Sequence, residues 1–327
     1  MESQGAQARA PFHSGELRMQ LAAGKQAQVA DFGRRMIRRY LTEQHRQFFS
    51  ELPFVVLGSV DEEGWPWVSV ICGAPGFAHS PDPVTLSIAA RCCSLDPAVA
   101  RLRPGMPLGL LGIALDTRRR NRLNGRIRQA DKVGLTVTVD QSFGNCPRYI
   151  QSRRVELADR RGQSLQLVAE PAERLDERAL ALIAKSDTMF VASAVPVADD
   201  PVSQGVDVSH RGGKPGFVKV DGERLTVPEF AGNNLYNTLG NFVVNPRAGL
   251  LFVDFDQGDG LLLSGEVALL DRSDPEVAGF DGAERGWRFL PRRRLWLRGL
   301  WPYRAQLDSF SPHTLSTGQW ARCESES

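Results

Sequence analysis

Residues 209–217 (SHRGGKPGF) hold the densest group of side chains that could do chemistry. Arg211 carries a planar fork of N–H donors that matches a phosphate, and Lys214 adds a compact positive charge. The glycines between these cations let the backbone approach a ligand closely. The same composition is typical of a hairpin turn with incidental surface charges. On its own, the segment therefore supports both an anion site and a plain turn.

The chain repeats itself without gaps at an offset of 140 residues. Residues 69–77 (SVICGAPGF) align with 209–217, and the triplet GLL recurs at 109–111 and 249–251. Self-similarity at a fixed offset indicates one structural unit used twice. We therefore expect two copies of a domain-sized unit, packed against each other like a homodimer on one chain.

The two copies differ in charge at their shared turn. Ile71 stands where the second copy has Arg211, and Ala74 stands where it has Lys214. The turn is thus common to both copies, whereas the cations belong to the second copy alone. This asymmetry favours a ligand site in the second copy.

A second polar cluster follows at residues 229–241 (EFAGNNLYNTLGN). Its short side chains, Asn233, Asn234, Asn237 and Thr238, can bond to polar ligand groups or to the local backbone as helix caps. The N-terminus of a helix also favours a phosphate, so the two interpretations are compatible.

Composition and charge exclude several classes of function. The 327 residues suffice for two domains, and 42% hydrophobic with 24% charged residues is ordinary for a soluble globular protein. A net charge of +2 gives no case for nucleic acid or an anionic membrane. No apolar stretch approaches the roughly 20 residues of a spanning helix, and the amino terminus lacks the pattern of a signal peptide. We expect a cytoplasmic protein.

Cysteine and histidine are scattered along the chain. The five cysteines, at positions 72, 92, 93, 146 and 323, and the five histidines show no metal-ligand spacing, so we predict no metal site. This usage fits the reducing cytosol. Cys146 could be redox-active because nearby cations favour a thiolate, or it could be a packed free cysteine. His210 could donate a proton or contact a ring, or be a structural histidine.

The spacing of apolar residues divides the chain into elements. Residues 1–50 read as helical, and 173–185 as a later helix with one apolar face. From Phe54 onward the pattern changes to short strands separated by Gly-rich turns, about six in each copy. Such spacing is typical of an antiparallel barrel and not of a βαβ sheet.

Residues 206–255 resemble the FMN-binding split-barrel superfamily of pyridoxamine 5′-phosphate oxidase, above all its larger two-copy members. The resemblance rests on SHRGGKPGFV at 209–218, NN at 233–234, NTLGN at 237–241 and NPRAGLLF at 245–252. Also similar are FGNCPRYIQ at 143–151, LPF at 52–54 and GWPW at 64–67.

The resemblance implies a mainly β fold with flanking helices, built as tandem split β-barrels that form an intrachain pseudo-dimer. The predicted units are an N-terminal helical segment (1–50), a first split-barrel copy (51–160), a connecting helix (161–189), a second copy with the FMN phosphate site (190–290) and a C-terminal Trp/Arg tail (291–327).

The resemblance also implies where FMN would bind. In that superfamily a basic residue on the second strand and polar or basic residues after the third strand hold the phosphate, while the isoalloxazine lies between two barrels. Arg211 would take the strand position. The oxidase's Arg-Lys pair near Asn237 is absent here, which puts a B6 substrate in doubt. No catalytic residue is assigned, and the implied cofactor contacts are Ser209, His210, Arg211, Lys214, Thr226, Pro228, Asn233, Asn234, Asn237, Thr238, Arg148 and Tyr149.

The expected function is that of a flavin-dependent oxidoreductase that moves hydride or electrons to or from a small molecule. No Gly-x-Gly-x-x-Gly fingerprint is present, so NAD(P)H would bind transiently or act through a partner reductase. The alternative is a non-catalytic carrier or sensor of flavin, heme or the deazaflavin F420. Association into a homodimer is left open.

The C-terminal region raises one weaker hypothesis. Trp287, Trp296, Trp301 and Trp320 lie among arginines, which could bind RNA. They could equally cover a barrel mouth by cation–π packing. The modest net charge favours packing, and we expect no nucleic-acid or membrane partner.

Overall fold

The computed structural model describes residues 11–89, 93–158, 167–195 and 205–320. Within these ranges the helices are α1 (Ser14–Ala22), α2 (Gln26–Met36), α3 (Glu43–Glu51), α4 (Glu177–Lys185), α5 (Asn237–Val244), α6 (Pro275–Ala278) and α7 (Pro312–Leu315). The strands are β1 (Phe54–Val60), β2 (Pro66–Cys72), β3 (Ala78–His79), β4 (Thr85–Ile88), β5 (Pro107–Ala114), β6 (Arg119–Ala130), β7 (Leu135–Gly144), β8 (Ser152–Leu157), β9 (Val168–Pro171), β10 (Thr188–Val195), β11 (Gly205–Gly212), β12 (Lys219–Asp221), β13 (Arg224–Phe230), β14 (Arg247–Val253), β15 (Gly260–Leu270), β16 (Ala283–Arg298) and β17 (Tyr303–Ser309).

Most of the strands form two antiparallel sheets with the same strand order. The first sheet runs β2-β1-β5-β6-β7-β4-β3, and the second runs β11-β10-β14-β15-β16-β13-β12, with β9 added beside β16. Among the described residues neither sheet closes on itself. The prediction of a mainly β fold with flanking helices is therefore confirmed, and both sheets are open.

Local sequence explains where these elements begin and end. The turn between β1 and β2 is held by Asp61, whose carboxylate accepts the backbone N–H groups of Glu63 and Trp65 at 3.0 and 2.9 Å. Gly64 in this turn has a φ of +81°, which glycine adopts without strain. The predicted helix at 173–185 begins only after Asp176, whose side chain caps its first turn.

The two sheets pack on each other through reciprocal contacts. β5 lies against β11, and β14 lies against β2. A Cβ on Gly109 would come within 2.5 Å of the carbonyl oxygen of Val206, and a Cβ on Gly249 within 2.5 Å of the carbonyl oxygen of Pro66. The two pairs are related by the 140-residue offset. The sheets thus meet as the two subunits of an isologous dimer do.

β8 and β17, one from each half of the chain, also meet and form a two-stranded antiparallel ladder. β8 comes after the first sheet and β17 after the second, and they pair so that Arg153 faces Leu307 while Ala305 faces Val155. The backbone N–H groups of Arg153 and Ala305 bond to Leu115 and Phe255, which are 140 residues apart, so Arg153 and Ala305 hold corresponding positions in the two halves.

Three tryptophans from the C-terminal region belong to the core. Trp287, Trp296 and Trp301 are at most 4% exposed, and Arg178 lies 3.8 Å from the centre of the Trp296 ring. These three tryptophans therefore pack in the protein interior, as the packing hypothesis expects. The predicted boundary before residue 291 falls inside β16, and the predicted connecting helix also contributes β9. No helix in the described ranges is long and apolar enough to cross a membrane.

Candidate functional site

A solvent-open cavity lies between the two sheets, with about 930 Å³ of empty space when the part open to solvent is included. Its walls come from β11, β13 and the start of α5 in the second half, and from β6 and residues 145–149 in the first half. Ten of the twelve predicted contact residues line it: Ser209, His210, Arg211, Pro228, Asn233, Asn234, Asn237, Thr238, Arg148 and Tyr149.

The other two predicted residues are placed elsewhere. The Lys214 ammonium donates to the carbonyl oxygen of Thr317 at 2.5 Å, which ties the C-terminal segment to the turn after β11. The hydroxyl of Thr226 donates to Glu276 at 3.3 Å. Neither side chain is among those that line the cavity.

Arg211 meets a carboxylate that the sequence did not indicate. Its Nε donates to Glu229 Oε2 at 2.9 Å, and its Nη1 donates to the carbonyl oxygen of His210 at 3.3 Å. Glu229 belongs to β13, which lies after the shared turn. The carboxylate holds the guanidinium at the cavity wall and balances its charge.

Two arginines of the first half, Arg120 and Arg122, form the floor of the cavity. Neither was predicted from the sequence, because the predicted contacts came mainly from the second copy. Arg122 is buried and bonds to Asp207 at 2.9 Å, to Ser209 at 2.5 Å and to the carbonyl oxygen of Val208 at 3.1 Å. Its neighbour on the same face of β6, Arg120, donates to the carbonyl oxygen of Cys146 at 2.8 Å. Arg120 and Arg122 are two residues apart in RRNR (119–122), so they share one face of a strand, and this spacing could have indicated them.

Like charges crowd at this floor. Burial and the positive charge of Arg211 lower the pKa of Arg120 to about 10, so Arg120 remains charged at neutral pH. When Asp207, which pairs with Arg122, is counted with the lining, five arginines face three carboxylates. Such an excess of positive charge in a partly buried cleft favours an anionic ligand.

The segment at 145–149 is pressed against β11. Tyr149 has a φ of +63°, and its hydroxyl donates to the carbonyl oxygen of Ala231 at 3.1 Å. A Cβ on Gly212 would lie 2.0 Å from the carbonyl oxygen of Tyr149, so only glycine fits there. The Tyr149 and Phe230 rings lie 5.0 Å apart, tilted by 32°, and form an aromatic wall.

Backbone strain concentrates at the cavity. Among the described residues, four that are not glycine have positive φ, and three of these, Tyr149, Asn234 and Tyr236, line it. Such conformations cost on the order of 1 kcal/mol or more each and gather at ligand sites.

Three buried nitrogen atoms of the lining have no hydrogen-bond partner among the described residues. They are Nδ2 of Asn145, Nε2 of His210 and Nη1 of Arg285. An unpaired buried donor costs about 1–3 kcal/mol. The set is rich in donors and would suit a ligand rich in acceptors.

Its surroundings hold His210 as a neutral imidazole. Burial, followed by the positive charges of Arg120, Arg211 and Arg153, holds the pKa of His210 well below its ordinary value. Its Nδ1 lies 3.4 Å from Nη1 of Arg120, which can only donate. A neutral ring that accepts this contact at Nδ1 carries its hydrogen on Nε2.

Helix α1 supports the cavity from below, which the sequence did not indicate. Glu16 accepts a hydrogen bond from Nδ2 of Asn237, and Nε2 of His13 lies 2.8 Å from Oδ1 of Asn241. Asn241 in turn donates to Asp207 at 2.8 Å. This buried network connects α1 to α5 and to Arg122.

The corresponding place in the other half is filled by apolar side chains. Strand register puts Leu262 where Arg122 stands, and Gly260 where Arg120 stands. Trp301 packs there against Phe54, and Leu300 lies against Gly260; the two are 1% and 8% exposed. Among the described residues, the counterpart of the cavity floor is thus apolar.

Comparison with known proteins assigns no family, since no family model and no curated protein matches the chain. Among solved structures, a single-substitution variant of HupZ from Group A Streptococcus is 12% identical, covers 37% of this chain and 97% of its own length, and has a TM-score of 0.29. A FAD-binding protein from Mesorhizobium loti covers 40% and 98% at 12% identity with a TM-score of 0.26. HutZ, the heme storage protein from Vibrio cholerae, covers 38% and 95% at 12% identity with a TM-score of 0.26. These likenesses are too distant to carry a functional conclusion.

Proposed function

We propose that this protein binds one FMN per chain in the cavity between its two sheets and acts as a flavin-dependent oxidoreductase. The observation that carries the proposal is the convergence of five arginines and three unpartnered buried donors on one cavity. We further propose that the two halves are copies of one split-barrel unit. The shared strand order and the reciprocal contacts support this.

The residues present fit a phosphorylated flavin. Arg211, Ser209 and Thr238 would hold the phosphate beside the N-terminus of α5, where helix N–H groups favour an anion. The isoalloxazine edge is rich in acceptors and would take N–H groups from His210 and Asn145. Tyr149 and Phe230 would wall the ring. A bound flavin would supply the redox chemistry, while these side chains orient it and limit access of water.

The donors of the cavity lining favour flavin over heme, because the unpartnered N–H groups of Asn145 and Arg285 suit a ligand edge rich in acceptors. A His210 ring that accepts from the Arg120 guanidinium at Nδ1 adds a third donor at Nε2 and offers no lone pair there to iron. A carrier of flavin remains the alternative to an oxidoreductase.

The test is reconstitution with FMN, followed by the visible spectrum and calorimetric titration. We expect a yellow protein with one FMN per chain. Arg211→Ala together with Glu229→Gln removes the cation without leaving an unpaired carboxylate, and should weaken FMN binding about 10- to 150-fold, equivalent to about 1.5–3 kcal/mol. Arg224→Ala, which changes an exposed arginine of β13, is the matched control.

Anaerobic addition of NADH or NADPH then separates the two functional hypotheses. Bleaching of the flavin supports an oxidoreductase, whereas a flavin that stays oxidised supports a carrier. Equal FMN affinity in the Arg211 variant and the wild type would remove the assigned phosphate role.

A further inference from the structure

A second cleft lies on another side of the molecule and shares no lining residue with the cavity between the sheets. It has an empty volume of about 960 Å³, including the part open to solvent. The side chains that matter in it are Arg153, Lys185, Thr188, Phe255, Arg304 and Gln306. We call it the Arg153 cleft.

Arg153 is buried and only partly satisfied. Its side chain is 9% exposed, and its Nη2 donates to both carboxylate oxygens of Asp187 at 3.0 and 2.8 Å. The guanidinium carbon lies 4.7 Å from the centre of the Phe255 ring, which also lines the cleft. Nε and Nη1 are buried and have no hydrogen-bond partner among the described residues. Leaving charged donors unpaired is costly, so such atoms call for a partner.

The fold itself does not require this ion pair. The backbone N–H of Arg153 donates to the carbonyl oxygen of Leu115 at 3.3 Å, and that of Ala305 donates to the carbonyl oxygen of Phe255 at 3.4 Å. Ala305 is thus the counterpart of Arg153 in the other half. Asp187 directly precedes β10 and corresponds to Pro53, which directly precedes β1. The same architecture is built on the other side without either charge.

The other charges of the cleft leave room for an anion. Asp187 is engaged by Arg153 and by the Thr188 hydroxyl at 2.9 Å, and Asp254 is engaged by Lys185 at 2.8 Å. Arg304 has no ion pair among the described residues and stands at the rim of the cleft. Asp256 also lines the cleft, so three cations face three carboxylates there. The buried polar atoms of the lining that have no partner among the described residues are both donors, Nε and Nη1 of Arg153.

We propose that the Arg153 cleft is a second binding site, which takes a small anion with a phosphate or carboxylate group on the unpartnered donors of Arg153. Nη1 lies on the side of Cδ and Nε–H points to the opposite side, so each of these donors offers a separate hydrogen bond to an oxygen of the anion. Arg304 adds charge at the rim, and Thr188 and Gln306 offer further hydrogen bonds. This site is independent of flavin binding.

The experiment is a titration of the full chain with inorganic phosphate and, separately, with succinate, against chloride at equal ionic strength. Melting temperature gives affinity, and the Nε–H resonance of Arg153 in a nitrogen-15 spectrum gives the location. Arg211→Ala accompanies every titration because it removes a predicted anion contact of the other cavity. We expect saturable stabilisation that persists in Arg211→Ala and a shift of the Arg153 resonance.

Two variants test the role of the cleft. Arg153→Ala with Asp187→Asn removes the pair without leaving a buried lone charge, and should abolish the response. Arg304→Ala changes an exposed residue that cannot endanger the core, and should weaken binding by about tenfold. Arg154→Ala, a neighbour whose side chain is 64% exposed, should behave as wild type.

The outcomes separate the sources of the anion and can overturn the site. A response to phosphate alone identifies a phosphorylated ligand, and one to succinate alone identifies a carboxylic acid. A response that Arg304→Ala leaves unchanged, or a resonance of Arg153 that does not move, would overturn the proposal. Loss of the response in Arg211→Ala would place the anion in the other cavity.

Discussion

Glu16 lies beneath the N-terminus of α5, and its replacement by glutamine should remove a pH dependence of folding stability. The side chain is 3% exposed and accepts hydrogen bonds from Asn237 and from the backbone N–H of His13. Burial, followed by the negative charge of Asp207, raises the pKa of Glu16 from 4.5 to about 8. The folded protein therefore holds this carboxyl group in its neutral form at pH 7.

The direction of the effect follows from proton linkage. Between pH 4.5 and pH 8 the unfolded chain releases the Glu16 proton, while the folded chain keeps it. The free energy of unfolding therefore falls as pH rises through this window and levels off above it. A difference of about 3.5 pKa units corresponds to on the order of 5 kcal/mol. Glutamine keeps the neutral shape and has no proton to lose.

The assay is denaturant unfolding of wild type, Glu16→Gln and Glu43→Gln at intervals from pH 5 to pH 9. Glu43 is the control because its side chain is 83% exposed. We expect the wild type to lose several kcal/mol relative to Glu16→Gln between pH 5 and pH 8. A difference between these two proteins that stays constant with pH would refute a buried neutral carboxyl group at this position.

Three further predictions concern the cavity. Gly212→Ala should lower FMN affinity at least tenfold because a Cβ would meet the Tyr149 carbonyl at 2.0 Å. Gly232→Ala is the control and should keep wild-type affinity, since the nearest atom to its Cβ is 3.9 Å away. Equal FMN affinities of the two variants in calorimetry would contradict the close approach at Gly212. Arg122→Leu should lower the free energy of unfolding by about 3–5 kcal/mol because Asp207 is left buried and unpaired. Adding Asp207→Asn should recover part of that loss, and no recovery in denaturant unfolding would argue against the pair. Trp301→Ala should lower the free energy of unfolding by about 3–5 kcal/mol because Trp301 is fully buried. FMN affinity should not change, since Trp301 lies on the side of the paired sheets opposite the cavity. A Trp301→Ala protein that is folded but does not bind FMN would contradict this.

The sequence predicted the elements well because its signals were local. β1 (Phe54–Val60) begins at Phe54, where the sequence pattern changes from helical to strand-like, and the turn glycines Gly76 and Gly216 both have positive φ. The offset of 140 residues led to the expectation of two matching units, and the two sheets share one strand order.

Contacts between distant segments were beyond the reach of the sequence. Lys214 looked like a phosphate ligand from its spacing, but its ammonium bonds to Thr317, more than a hundred residues away. Arg120 and Arg122 reach the cavity from the first half, and Glu16 of α1 accepts a hydrogen bond from Asn237, which lines it. Such pairings depend on how the two sheets pack, which no local pattern encodes.

Titration of the purified chain with FMN is the decisive test of flavin binding between the sheets. We expect saturation at one FMN per chain with a flavin absorption spectrum, and binding that the Arg211→Ala, Glu229→Gln variant weakens at least tenfold. A folded protein that stays colourless with excess FMN, or one that binds two FMN per chain, would contradict it.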